Sequence, residues 1–267
     1  MSSARINLVL LLGFCCVFLV FCDDQNVTET ATGLNEPEFE TPEYLLPCSR
    51  KDPKIDSCFL NTLMHVKPYL VKGIPELDLP PIEPLTVPEV KMENGQGPVR
   101  IVAYFGNVTV MGLSNYTVHK VRMNITAYRF DIYLSIPKLE LQGKYDINGN
   151  ILLFPIQSQG DFTAVFDDMN LVIRTQGVEE VKNGVRYMIF NRVLINFELS
   201  RAKFRIMDKQ NGDNVLGQAL NQFLNQNAKE IIEELKPAAN LSISKVLKTF
   251  MNMAFSKRPL NVWMHDM

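Results

Sequence analysis

Residues 214–257, NVLGQALNQFLNQNAKEIIEELKPAANLSISKVLKTFMNMAFSK, constrain this chain more than any other stretch, because no other segment is both long and periodic. Apolar side chains recur at Leu216, Leu220, Leu224, Ile231, Leu235, Ala239, Ile243, Val246, Phe250 and Ala254, with Asn227 the one polar member, which is the spacing of one helix face. At about 1.5 Å per residue that helix is roughly 65 Å long, far beyond the usual three or four turns. Pro237 removes one backbone hydrogen bond near its middle. The stripe nevertheless keeps its phase from Leu235 through Ala239 to Ile243, so one kinked rod is expected rather than two independent helices. Its steps average about 3.8 residues rather than 3.6, so the apolar face drifts around the axis. A straight partner would lose that face; a surface that wraps around it would not.

The wrapping surface is written upstream. Residues 99–207 carry β-branched and aromatic residues in alternation, clearest in Tyr128, Phe130, Ile132, Leu134, Ile136 and again in Val193, Ile195, Phe197, Leu199. Asn148-Gly149 and Asn183-Gly184 read as hairpin turns. About nine strands with no helix between them form a meander whose one apolar face must be covered. A sheet that long twists and curls, and the only filler offered afterwards is the C-terminal helix. One helix with a single stripe is not expected to fill the whole concavity. The 12 Met and 16 Phe suit an adaptable apolar cavity, although a solid core would use the same residues.

Ahead of the strands, Phe59, Leu63, Val66 and Leu70 mark a short amphipathic helix begun by an Asp56 cap, stopped by Gly73 and kinked or shortened by Pro68. Residues 75–88, PELDLPPIEPLTVP, form a rigid extended strap because each proline fixes a backbone angle and restrains its predecessor. Residues 23–44 hold acidic side chains, no basic one and little to bury, and read as a flexible leader. Residues 1–22 read as a secretory signal peptide, with Arg5, an apolar run over 6–21 and cleavage after Cys22; the run is too short for a membrane anchor and no basic stop-transfer cluster follows.

Cleavage there removes Cys15, Cys16 and Cys22 and leaves Cys48 and Cys58, which in an oxidising compartment and with no other partner are expected to form a disulfide. Sequons at Asn26, Asn107, Asn115, Asn124 and Asn240 agree with a secreted, extracellular glycoprotein and predict that those side chains face solvent. With 267 residues, 46% of them hydrophobic, the chain can bury a sizeable core. A formal charge of -2 with scattered lysines and arginines gives no footprint for nucleic acid and no polybasic membrane patch.

Four stretches, taken together, are similar to the takeout and haemolymph juvenile-hormone-binding protein family of insects: the Cys48 to Cys58 loop; GIPELDLPPIEPL over 73–85; GKYDINGNILLFPI over 143–156; and LNQFLNQNAKEIIEELKP over 220–237. They span almost the whole mature chain. The resemblance implies an α+β fold in which the long C-terminal helix is wrapped by a highly curved antiparallel β-sheet enclosing an elongated hydrophobic tunnel, in a single takeout-like lipid-binding domain over 45–267. It implies one extended lipid-like ligand and a link to circadian or feeding signalling. The chain has only the N-terminal cysteine pair, as takeout-type members do, and lacks the second disulfide of the haemolymph hormone carriers, which weighs against juvenile hormone itself.

The leading expectation is a non-enzymatic carrier of a small hydrophobic ligand, a terpenoid or a fatty-acid-like lipid, acting as a monomer with no cofactor and no stable membrane insertion. Candidate tunnel residues are Tyr128, Phe130, Ile132, Leu134, Tyr145, Phe197, Leu220, Leu224, Ile231, Leu235, Ile243 and Phe250, with Tyr128 and Tyr145 the candidates to orient a polar head group. A lipid esterase is disfavoured: His65, His119 and His265 stand without a base-orienting pattern, and no G-x-S-x-G elbow or H-E-x-x-H helix is present. No metal-ligand set remains once the cysteines pair. A secreted interaction protein with a filled core is the remaining alternative.

Overall fold

The computed structural model describes residues 40–209 and 215–266. The expected signal peptide, the leader up to residue 39 and the Asn26 sequon lie outside the described residues, as does the side chain of Leu216. Tyr44, assigned to the leader, is 6% exposed and packs edge-on against Tyr69, so the folded body already includes it.

In chain order the elements are β1 (Cys48–Ser49), α1 (Ile55–Lys72), β2 (Leu85–Asn94), β3 (Val99–Met111), β4 (Thr117–Asn124), β5 (Arg129–Ile151) and β6 (Phe154–Lys182). There follow β7 (Val185–Glu198), β8 (Arg201–Asp208), α2 (Val215–Gln226), α3 (Ala228–Phe255), α4 (Leu260–Trp263) and β9 (Met264–His265). Seven strands make the main antiparallel sheet, in the order β2-β3-β5-β6-β7, with β4 beside β5 and β8 beside β6. Over 99–207 the expected nine strands become six, β3 to β8, because β5 and β6 run unbroken for 23 and 29 residues and form one hairpin; the seventh strand of the sheet, β2, precedes that stretch. Each is long enough to serve two neighbours in turn: β3 and β4 share the outer edge of β5, and β8 and β7 share that of β6.

The sheet changes face midway. On β5 the inward residues are Phe130 and Ile136 on one side of Pro137 but Tyr145 and Ile151 on the other, an even set followed by an odd one. β6 switches at the facing position, from Phe162 and Ala164 to Met169, where Asp168 takes φ 54°. Bulges at Asn107 on β3 and near Asn191 on β7 do the same for the neighbouring strands. Such irregularities bend a strand and increase its twist, which is how a wide sheet curls.

Asn183-Gly184 is the β6–β7 turn, with both residues at positive φ as a two-residue hairpin requires. Asn148-Gly149 is not a turn. It lies inside β5, where Gly149 has φ 145° and an added Cβ would sit 2.1 Å from the carbonyl oxygen of Arg100. The β5–β6 turn falls instead at Leu152 and Leu153. The strap is not wholly extended either, since residues Pro75–Leu77 form a 3-10 turn and Pro88 already lies within β2.

The C-terminal helix is one near-continuous rod, and its irregularity is at Asn227 rather than Pro237. The Asn227 N–H still donates to Phe223 O at 3.1 Å and Ile231 N–H to Asn227 O at 3.0 Å, so the ladder is continuous, but the Asn227 amide also donates to Phe223 O at 2.8 Å and opens the local φ to -106°. Pro237 sits inside α3 on the exposed side with Glu233, where water can take the carbonyl that loses its donor.

The rod touches both free edges of the sheet. On β8, the Asn221 amide accepts from Ile206 N–H and donates to Ile206 O, both at 2.8 Å, and Asn225 does the same with Phe204 at 2.9 and 2.7 Å. On β7, Asn252 brackets the Phe190 backbone and Ser244 Oγ accepts from Ile195 N–H. At the far edge, Ser242 Oγ donates to Lys91 O of β2 at 2.7 Å. Residues one helical turn apart rise about 5.4 Å, close to the roughly 6.7 Å between alternate strand residues, so amides at i and i+4 imitate a missing strand. A flat sheet would hold β2 and β7 about 19 Å apart, too far for a helix roughly 10 Å across to bond both. The curl is therefore required.

The other end is closed by α1, whose Pro68 neither ends nor visibly interrupts it. Asp56 does not cap it. Its carboxylate accepts from Met123 N–H of β4 at 2.8 Å, while Phe59 stacks on Phe130. Gly73 stops the helix, as expected, with its N–H on Leu70 O. The Cys48–Cys58 disulfide ties the first turn of α1 to β1, and β1 pairs in parallel with β9, joining the start of the body to its end.

Candidate ligand-binding site

The interior is packed in four clusters that follow the rod. Tyr145, Leu224 and Ile231, flanked by Leu220 and Leu235, belong to the cluster at the β5–β6 hairpin end. Phe197 and Leu134 lie in the middle, and Phe130 and Tyr128 at the α1 end. Ile132 and Phe250 are half-buried outside these clusters. Ile243 is 40% exposed and does not turn inward, because its neighbours Ser242 and Ser244 are the residues bonded to the sheet edges. The drifting stripe assigned it to the wrong side.

At the hairpin end a pocket of about 190 Å³ opens between the start of β6, the end of β8 and the first turns of α2. Ile151, Phe154, Ile156, Leu220 and Phe223 give it apolar walls, and Ser158 with Asp208 gives it one polar end. The Phe154 and Phe223 rings meet edge to face at 4.8 Å. A larger depression near Gln226 is walled only by polar and charged residues of the rod, so it offers an apolar molecule nothing.

The polar end is ordered. Ser158 Oγ donates to Asp208 Oδ2, and its distance to Tyr145 Oη is 2.7 Å. A serine has one proton, and with that proton on Asp208 the phenol of Tyr145 must be the donor to Ser158. Burial pushes the Tyr145 phenol above its ordinary value; the Ser158 hydrogen bond opposes this, and the charges of Asp208 and Asp161 add to it. The phenol stays protonated and the relay Tyr145 to Ser158 to Asp208 keeps one direction. Tyr145 is therefore one hydrogen bond behind the pocket. Tyr128 is elsewhere: it sits at φ 46° in the β4–β5 turn, and its hydroxyl donates to Glu179. Burial first, then Glu179, pushes that phenol up to about 12.

Of the walls, sequence reasoning named Leu220, with Tyr145 just behind them, and missed Ile151, Phe154, Ile156, Ser158, Asp208 and Phe223. A signal for two of them existed. Ser158 follows Ile156 at inward parity, and Asp208 follows Phe204 and Ile206, so each is a polar residue in an apolar slot. Of the sequons, Asn107, Asn115 and Asn124 are exposed, whereas Asn240 is half-buried, with its Oδ1 inaccessible and its Nδ2 on Asn196 at 3.3 Å. The expectation that Asn240 faces solvent is not met, because it lies on the side of α3 that meets β7.

The family model of haemolymph juvenile hormone binding proteins matches residues 17–265. This chain belongs to that family. Among its relatives is the circadian clock-controlled protein daywake of Drosophila yakuba, 22% identical over 222 residues, with 80% of this chain and 85% of that protein covered. Daywake of Drosophila melanogaster is 22% identical over 227 residues, with 82% and 86% covered. The crystal structure of Takeout 1 from Epiphyas postvittana superposes with a TM-score of 0.67 over 82% of this chain and 99% of that one, at 19% identity. The curved antiparallel sheet around a long C-terminal helix is thus the fold of this juvenile hormone binding protein family member. Among the described residues no helix is long and apolar enough to cross a membrane.

Proposed function

We propose that this family member is a secreted, non-enzymatic carrier of a small hydrophobic ligand, a terpenoid or a fatty-acid-like lipid, held beside the rod. The observation that carries the reading is the apolar pocket closed by an ordered polar relay, in a family whose name records hormone binding. Its volume suits one end of an extended molecule, since a cavity of about 150 Å³ already holds a benzene ring. The rest of the ligand runs along the concave face past Leu224, Ile231 and Leu235 toward Phe197 and Phe130, as an elongated tunnel that opens when occupied. Apolar burial drives binding at about 25 cal/mol per Å², offset by the ordering of a flexible chain.

The processing scheme belongs to the same reading: residues 1–22 as signal peptide, an acidic leader, and one ligand-binding domain that acts as a monomer. Expression under daily control is supported by the clock-controlled relatives, and a link to feeding belongs to the same reading. Displacement of a fluorescent fatty acid from the purified secreted chain, by long-chain acids, alcohols and terpenoids in turn, tests the carrier reading. Saturable binding weakened several-fold by Leu220→Asp is expected; no saturable binding to any of these probes refutes it.

A further inference from the structure

The turn that joins β5 to β6 is built against its own backbone and against water. Leu152 takes φ 54°, a conformation that favours Gly or Asn, although an Asn-Gly pair stands only three residues earlier. Leu153 is 93% exposed, the following Phe154 is 58% exposed, and Pro155 is exposed as well. Three consecutive apolar residues thus project at a hairpin tip, and the residue at φ 54° is apolar too. Local strain and an exposed apolar prominence at one place point to a function rather than to folding. The tip is also the rim of the pocket, because Phe154 and Pro155 line it.

We propose that the Leu152–Leu153–Phe154 tip is a lipid-surface contact, which enters the outer layer of a phospholipid membrane and sets the pocket rim against it for loading or release. The tip exposes on the order of 300 Å² of apolar area. Two such tips fall well short of the 1,200 Å² or so that a stable dimer buries, so a second copy is a poor occupant. A fluid apolar phase has no such threshold and no shape to match. The hairpin can enter it shallowly, since β5 and β6 stay paired up to Ile151 and Phe154 and only the backbone groups of the Leu152–Leu153 turn need the water of the headgroup layer. The contact is apolar, so it does not depend on anionic lipid.

The loading role rests on the carrier reading; the contact itself does not, and the experiment separates them. The full secreted chain is floated with phosphatidylcholine vesicles at high salt, alongside Leu153→Asp and Leu153→Trp. Leu153 packs against nothing, so both variants are expected to fold and to bind ligand in vesicle-free buffer as the parent does. Expected are co-flotation of the parent, a fall of at least about tenfold for Leu153→Asp, and a blue-shifted emission from Leu153→Trp on adding vesicles, over the constant background of Trp263 at the other end of the sheet. Equal flotation of parent and Leu153→Asp, no flotation of either, or an unmoved Leu153→Trp emission overturns the proposal, as does a parent dimer in vesicle-free buffer that Leu153→Asp dissociates. Flotation that persists in a chain that binds no ligand upholds the contact and refutes the carrier.

Discussion

Asn221→Ala and Asn225→Ala should differ sharply although both delete the same clamp. Each asparagine makes two hydrogen bonds to one β8 residue, but those of Asn221 with Ile206 are part-buried and those of Asn225 with Phe204 are exposed. A backbone group that loses a buried partner keeps much of its desolvation cost, about 1 to 1.5 kcal/mol for each bond, whereas water replaces an exposed partner at small loss. Alanine returns about 0.6 kcal/mol of helix propensity at either position. The expected net losses are about 2 kcal/mol for Asn221→Ala and about zero for Asn225→Ala. In a domain of this size about 2 kcal/mol lowers Tm by roughly 4 to 8 °C. Paired urea and thermal unfolding gives the totals, and hydrogen exchange at the Ile206 amide localises the effect. Equal losses in the two variants, or an Asn221→Ala within 0.5 kcal/mol of the parent, would refute the idea that the rod seals the sheet edge through its amides.

The side assignments along α3 are tested by Ile231→Ala, at 4% exposure, which should cost about 2 to 4 kcal/mol, against Ile243→Ala, at 40% exposure, which should cost under about 0.5 kcal/mol in the same unfolding assay. Gly149→Ala must displace the Arg100 carbonyl from a 2.1 Å approach at φ 145°, so a loss above about 3 kcal/mol or no soluble protein is expected; a mild loss would show that β3 and β5 are not in this register. Glu83 accepts hydrogen bonds from Gly112 N–H at 2.9 Å and Ser114 N–H at 3.0 Å. Burial pushes its carboxyl up, but these bonds outweigh it and hold the group below its ordinary value. A lowered folded value means the stabilisation is present above the unfolded value of about 4.3 and is lost as pH falls through the folded one. Glu83→Gln should therefore be less stable than the parent at pH 7, with the difference shrinking as pH drops below about 4; a difference that is constant with pH contradicts the assignment.

Much of the fold was legible because it depends on local pattern. The long stripe from Leu220 to Ala254 announced the rod, and alternation announced the strands. The errors share a cause in non-local geometry. Asn148-Gly149 is a favourable turn sequence, yet register with β3 keeps it inside β5. Pro237 is a helix breaker, yet it falls where solvent tolerates it, and Asn227 disturbs the rod instead through its own side chain. The even-to-odd shift around Pro137 was present in the sequence, from Ile136 to Leu139 and Leu141, but only as a change of phase between two good alternations.

By itself the sequence determined an amphipathic helix too long to stand alone, strands with one apolar face, the pairing of Cys48 with Cys58 and the family to which they belong. Tertiary structure decided which residues meet. Ser158 and Asp208 are 50 positions apart and become neighbours only because β8 returns beside the start of β6. Ile243 and Ser244 adjoin in the chain, yet the sheet edge buries the serine and leaves the isoleucine in water. Periodicity fixes a residue's angle around its own axis; the curl of a second element fixes what lies at that angle, and no local pattern encodes it.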